Sequence, residues 1–145
     1  MKIWFDMDGT IADLYGVEGW LADLEASNVR PYAQAKPMLN LAHLARLLNK
    51  AQKMGHEIGI ISWLSKSGTN HYNHDVTIAK IRWLKNHLPS VRWDMINIVP
   101  YGTPKHQICR EGILFDDEAR NRDAWNIGEA YEPCAIINVL KALNG

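Results

Sequence analysis

Cysteine, phenylalanine and net charge are what this chain has least of: two Cys, two Phe, and 16 basic residues balanced by 16 acidic ones in 145. Cys109 and Cys134 form neither a metal-ligand spacing nor a disulfide framework, so a reducing, cytoplasmic setting is expected. A charge balance of zero gives no sign of a polyanion-coated partner or a membrane surface. No apolar run approaches a bilayer span, and the first residues lack the basic-then-apolar pattern of a secretory signal, so no membrane partner is expected. Repeats and low-complexity stretches are absent. A chain this long is expected to form one domain over residues 1–145, burying roughly two thirds of its unfolded surface in a single core.

What is present is an alternation of short apolar runs with amphipathic stretches. KIWFD (2–6), EIGIIS (57–62), MINIVP (95–100) and GILFDD (112–117) read as buried strands, with a last short one near 128–132. Residues 17–27 carry a weak helical pattern, and Asn28 to Pro37 reads as irregular chain. Residues 38–54 place Leu at 41, 44, 47 and 48, the spacing of an amphipathic helix stopped by Gly55. A polar loop through KSGTNHYNHD precedes a helix at about 75–87, which Pro89 ends. TPKHQICRE (103–111) reads as a short helix with Pro104 in its first turn, and Pro133 leads a final helix. This order predicts an α/β fold: a Rossmann-like three-layer sandwich around a mostly parallel sheet of about five strands. In such folds ligands sit beyond the carboxyl ends of the strands.

Those strand ends carry the chemistry. Asp6 and Asp8 follow the first strand, Ser62 ends the second, and Asp116 and Asp117 end the fourth, while Lys105 starts the helix after the third. Four carboxylates brought to one rim repel one another and hold their protons more tightly unless a cation sits among them. Hard oxygen ligands with open coordination positions favour Mg²⁺ shared with a phosphate. Lys105 and the metal would neutralise that phosphate, and Gly9 and Thr10 would offer backbone N–H groups to its oxygens. A single Asp at a strand end is usually a turn or cap residue; the whole set in this order is what points to a site.

DMDGT (6–10), a Ser at a strand end, a Lys and then DD, in that order, resemble the haloacid dehalogenase-like phosphatases. The resemblance implies a two-step phosphoryl transfer. Asp6 would attack phosphorus and become an aspartyl-phosphate, and Asp8 would protonate the leaving alkoxide and then activate the hydrolytic water. The family's pattern assigns the metal to the Asp6 carboxylate, the Asp8 backbone carbonyl and an acid of the doublet, here Asp117 with Asp116 supporting it. Ser62 and Lys105 would hold the phosphate, and Trp63 is grouped with them, either walling the site or filling the core.

A narrower resemblance follows. AKIRWLKNHLP (79–89), TPKHQI and ILFDDEARNRDAWN look like the 5'(3')-deoxyribonucleotidase branch, with Lys80, Trp83, Asn121 and Trp125 fitting its arrangement. The chain departs from that branch in having Gly and Thr after the second Asp, and in a shorter insertion after the first strand, residues 14–36, read as a minimal cap. So small a cap suits a small substrate gripped by its phosphate, a larger one whose bulk lies outside, or closure by a second copy in a homo-oligomer. Tyr15, Trp20 and Tyr32 are candidates for stacking on a base, with Trp20 as an anchor of the mini-helix as the plainer reading. His71 and His74 sit in what reads as a loop beside Ser62, and His71 is a candidate substrate contact. Cys109 is expected as a small core filler.

The expected function is a Mg²⁺-dependent phosphomonoesterase acting on a nucleotide or another small phosphate ester. A polynucleotide 3'-phosphatase is the alternative within the same chemistry, although Lys66, Arg82, Lys85, Lys105 and Arg120 are dispersed in sequence and trace no basic track. A non-catalytic relative that binds a phospholigand or a partner protein is the alternative outside it; the intact pair Asp6 and Asp8 speaks against that reading.

Overall fold

The computed structural model describes residues 1–145. Five parallel strands form the central sheet: β1 (Lys2–Phe5), β4 (Glu57–Trp63), β5 (Met95–Val99), β6 (Ile113–Phe115) and β7 (Ala130–Tyr131), in the order β5-β4-β1-β6-β7. The chain runs outward from β1 to one edge and then crosses over to β6 on the other side. The strand order therefore reverses between β1 and β6, and a crevice opens beyond their carboxyl ends. Asp6 and Asp8 follow β1, and Asp116 and Asp117 follow β6, so the topology brings both acid pairs to that crevice.

The central strands are apolar on both faces because helices cover both. Ile3, Phe5, Ile58, Ile60, Ile113 and Phe115 point to one side, against α3 (Leu41–Lys53), α4 (Asn70–His87) and α7 (Ile136–Leu143). Trp4, Ile61 and Leu114 point to the other, against Cys109 and Trp125, which close α5 (Lys105–Ile108) and α6 (Ala119–Ala124). Gly59 of β4 is required here: a Cβ would lie 2.5 Å from the Trp4 ring. The expected three-layer sandwich with a parallel sheet is the observed one, and Cys109 is buried as a filler. No helix is long and apolar enough to cross a membrane.

Two local expectations differ. The helix expected from about 75 begins at Asn70, because the Thr69 hydroxyl caps it by accepting from the Tyr72 N–H (3.1 Å) while Tyr72 and Val76 point inward. The NHYNH stretch thus forms the first turns of α4, with Asn70, His71 and His74 outward, and not a loop. The stretch from Asn28 to Pro37, expected to be irregular, contains α2 (Arg30–Gln34), opened by the Asn28 side chain accepting from the Arg30 N–H (2.9 Å), with Pro31 in the first turn. Lys36–Pro37 (β3) then pairs with Ala12–Asp13 (β2) as a small antiparallel ribbon, and α1 is only Trp20–Glu25.

The segment between β2 and β3 is tied down by α4. The Trp83 indole donates to the Ala35 carbonyl (2.8 Å), and the Tyr72 hydroxyl donates to the Asn28 carbonyl (2.9 Å). Arg30 pairs with Asp23 and donates to the Glu18 carbonyl (2.7 Å), closing the segment on itself. Trp83→Phe keeps most of the buried ring but leaves the Ala35 carbonyl without its donor. It should cost about 1–3 kcal/mol in chemical denaturation; an unchanged midpoint would mean that this bond contributes nothing to holding the segment.

Candidate active site

Lys105 stands at the centre. Its Nζ donates to Asp6 Oδ1 (2.8 Å) and Asp116 Oδ2 (2.7 Å), all three side chains being buried or nearly so. Burial alone would lower the lysine pKa, but the two carboxylates more than offset it and hold it above its ordinary value. Asp116 is fully committed: Oδ2 also accepts from the Asn121 amide (3.1 Å) and Oδ1 from the Glu118 N–H (2.9 Å). Asp6 is oriented from its other side by the Thr10 hydroxyl, which donates to Oδ2 (2.9 Å) and in turn accepts from the Asp117 N–H (3.2 Å).

Asp117 is the less committed member of its doublet. It is partly exposed and lines the cavity, as do Asp6 and Asp8. Carboxylate oxygens of Asp6, Asp116 and Asp117 lie within 4.8 Å of one another, so this triad can hold a cation. Hard oxygens suit a hard divalent cation, and since both Asp116 oxygens already accept hydrogen bonds, Asp117 is the acid with ligand capacity to spare. Burial, together with the nearby Asp6 charge, pushes both acids of the doublet up, Asp116 to about 6 and Asp117 to about 8. A cation among them would remove that penalty.

Asp8 is held by a lysine of α4. Lys80 of α4, 1% exposed, donates from Nζ to Asp8 Oδ2 (2.8 Å), Ser62 Oγ (2.7 Å) and the Trp63 carbonyl (2.6 Å). Burial raises the Asp8 carboxyl pKa, with Lys80 opposing and Asp6 adding to the rise. Lys80 was legible as a charged residue on the inward stripe of α4, between Val76, Ala79, Trp83 and Leu84, where a lysine needs a partner.

Several expected phosphate contacts are placed differently. The Gly9 N–H donates to the Ala12 carbonyl (2.9 Å) and the Thr10 N–H to the Met7 carbonyl (3.0 Å), so both amides are used within the turn. Gly9 serves by lacking a side chain: its φ is +81°, and a Cβ would lie 2.3 Å from Asp117 Oδ2. Ser62 is completely buried and accepts from Lys80, behind the cavity wall and not in it. Trp63 does line the cavity, but its indole N–H is committed to the Thr103 carbonyl (2.8 Å).

The cavity measures about 590 Å³ and is open to solvent on one side. Tyr15, Trp20, Leu21, Leu24 and Tyr32 form its apolar wall, and Ser65 to Thr69 a polar one. Tyr15 and Trp20 meet edge to face at 5.0 Å, whereas Tyr32 is buried with Lys80 5.3 Å from its ring centre. The anchors of the segment are therefore Tyr32, Tyr72 and Trp83, and Trp20 is a cavity wall. His71 is 91% exposed at the side chain and pairs with Asp75 (3.6 Å), so helix α4 turns it to solvent, away from the site.

Because Asp116 and Asp117 bind protons more tightly folded than unfolded, the stability they contribute is lost as pH rises from 3.8 through about 6 and about 8. Mg²⁺ should reverse this by favouring the ionised acids. Thermal melts should show Mg²⁺ raising the Tm more at pH 8 than at pH 5, and Asp117→Asn should lose that increment. An equal Mg²⁺ effect in the variant would move the cation off this triad.

No protein-family model and no curated protein matches the chain. Among solved structures it is similar to a chain of the "Structure of Pnkp1/Rnl/Hen1 complex", at 17% identity and a TM-score of 0.52, over 90% of this chain. The match spans 44% of that chain, and at this identity the likeness is one of fold.

Proposed function

We propose that the chain is a Mg²⁺-dependent phosphomonoesterase of the haloacid dehalogenase-like type, working through an aspartyl-phosphate on Asp6, with residues 14–36 as a minimal cap on a single domain. The observation that carries this reading is the convergence of Asp6 and Asp8 after β1, Asp117 after β6 and Lys105 of α5 on one cavity. Bound Mg²⁺, held by Asp6, Asp117 and the Asp8 carbonyl, would supply charge neutralisation for the phosphoryl oxygens.

The remaining chemistry belongs to the side chains. An Asp6 carboxylate oxygen, kept in place by Lys105 and Thr10, attacks phosphorus. As that O–P bond forms, the bond from phosphorus to the ester oxygen breaks and its electron pair leaves with that oxygen. Asp8 delivers a proton to it, so an alcohol departs. Water then attacks the phosphorus of the aspartyl-phosphate and gives its proton to Asp8, and the Asp6 carboxylate returns. Lys105 balances charge on Asp6 and on the phosphoryl group throughout.

The apolar wall of Tyr15, Trp20, Leu21 and Leu24 supports a substrate with a flat, weakly polar body, such as a nucleotide. One observation also favours a nucleic-acid terminus. Lys66 and Arg120, distant in sequence, both lie over Tyr101 (5.8 and 6.0 Å), and Arg120 also over Trp63 (4.8 Å), so Lys66 and two aromatic rings line the cavity with Arg120 beside them on the exposed surface.

Phosphate release should be measured with Mg²⁺ and with EDTA across 5'- and 3'-(deoxy)nucleotides, sugar phosphates and 3'-phosphorylated oligonucleotides. The expected result is Mg²⁺-dependent release that Asp6→Asn eliminates without unfolding the protein, the best substrate deciding between a small ester and a strand end. Silence across the panel from a folded, Mg²⁺-binding protein would instead support a phospholigand-binding or partner-binding role.

A further inference from the structure

We infer that Lys80 is the positioning residue for Asp8, aiming the carboxyl that transfers the proton, an inference that rests on the phosphomonoesterase reading. An ammonium has three N–H donors and no acceptor. At Lys80 all three are matched: Asp8 Oδ2, Ser62 Oγ and the Trp63 carbonyl lie at 2.6–2.8 Å, with the Tyr32 ring 5.3 Å away. Two of these acceptors belong to the end of β4, which is locked into the sheet between β1 and β5. The lysine is therefore fixed by rigid structure on one side and holds Asp8 with its remaining donor.

Asp8 sits on the turn after β1, one residue before a glycine at φ +81°. It has no other side-chain hydrogen bond than the one from Lys80, unlike Asp6 and Asp116, each gripped by two or more donors. With Oδ2 engaged, Oδ1 is the oxygen left to carry a proton to and from the reacting oxygens in the cavity that Asp8 lines. Lys105 and Lys80 thus divide the work: the first serves the nucleophile, the second the acid–base group. The division explains why a helix otherwise devoted to packing carries a fully buried lysine, and why Ser62 is turned inward. Ser62 is part of the mount for Lys80.

The consequence is specific to leaving groups. An alkyl phosphate needs its departing oxygen protonated, whereas p-nitrophenyl phosphate, with an acidic leaving phenol, depends on that proton far less. In Lys80→Met, kcat/KM, which reports the leaving-group step and not the hydrolysis shared by both substrates, should fall at least tenfold more on the best alkyl phosphate than on p-nitrophenyl phosphate. In an Asp8→Asn background, adding Lys80→Met should change the alkyl rate by less than about threefold, because the group it positions is already disabled. Lys80→Arg, which keeps the charge but spreads its donors in a planar fork, should show the same leaving-group bias and carries the test if the Met variant does not fold. Equal losses on the two substrates, or full additivity with Asp8→Asn, would overturn the positioning role while leaving the phosphatase reading standing. A wild-type protein inactive on both substrates would overturn the phosphatase reading and this inference with it.

Discussion

An ammonium buried between two carboxylates is the constraint on which the rest of this structure depends. Lys105 joins the turn after β1, through Asp6, to the end of β6, through Asp116, and does so from a one-turn helix that must sit close beneath both. Removing one partner from such a buried set typically costs about 3–5 kcal/mol, because the remaining charge is left unpaired. The geometry of β1, α5 and β6 is accordingly not free to drift. Asn121 and the Glu118 N–H complete the coordination of Asp116, which ties the start of α6 into the same cluster.

That cluster also explains the uneven layers of the sandwich. The face packed by α3, α4 and α7 holds the large core around Phe5, Leu44 and Leu48, and it supplies most of the burial. The opposite face is closed by only a few groups, Trp4, Cys109, Leu114 and Trp125 among them, beneath two short helices. Short helices suffice there because their function is to bring Lys105 and Asn121 to the strand ends. Gly9 makes a similar concession on the other side of the crevice, where the missing Cβ lets Asp117 approach the β1 turn.

Most of this was legible where a local pattern and a chemical oddity coincided. Apolar runs that end in Asp6, Asp8, Asp116 and Asp117 revealed both the strands and the rim, since acids make poor core material. The sequence says less where the partner of a polar group, near or far along the chain, is decided only by the fold. Ser62 reads as a phosphate ligand at a strand end, yet Lys80, eighteen positions later on α4, takes its oxygen. The Gly9 and Thr10 amides look free until Ala12 and Met7 close the turn over them. His71 looked poised beside the site until the Thr69 cap extended α4 and rotated it outward. The basic residues looked scattered because Lys66 and Arg120 meet only across Tyr101, which no spacing rule anticipates.

The tie between α4 and the segment over the cavity carries a further consequence. Its anchors are main-chain carbonyls of Asn28 and Ala35 held by side chains of a helix embedded in the core, so α2 is fastened to the body on both sides. A molecule entering the cavity meets a wall whose backbone is carried by α4. Discrimination among ligands then rests on how well each fills a bowl already formed.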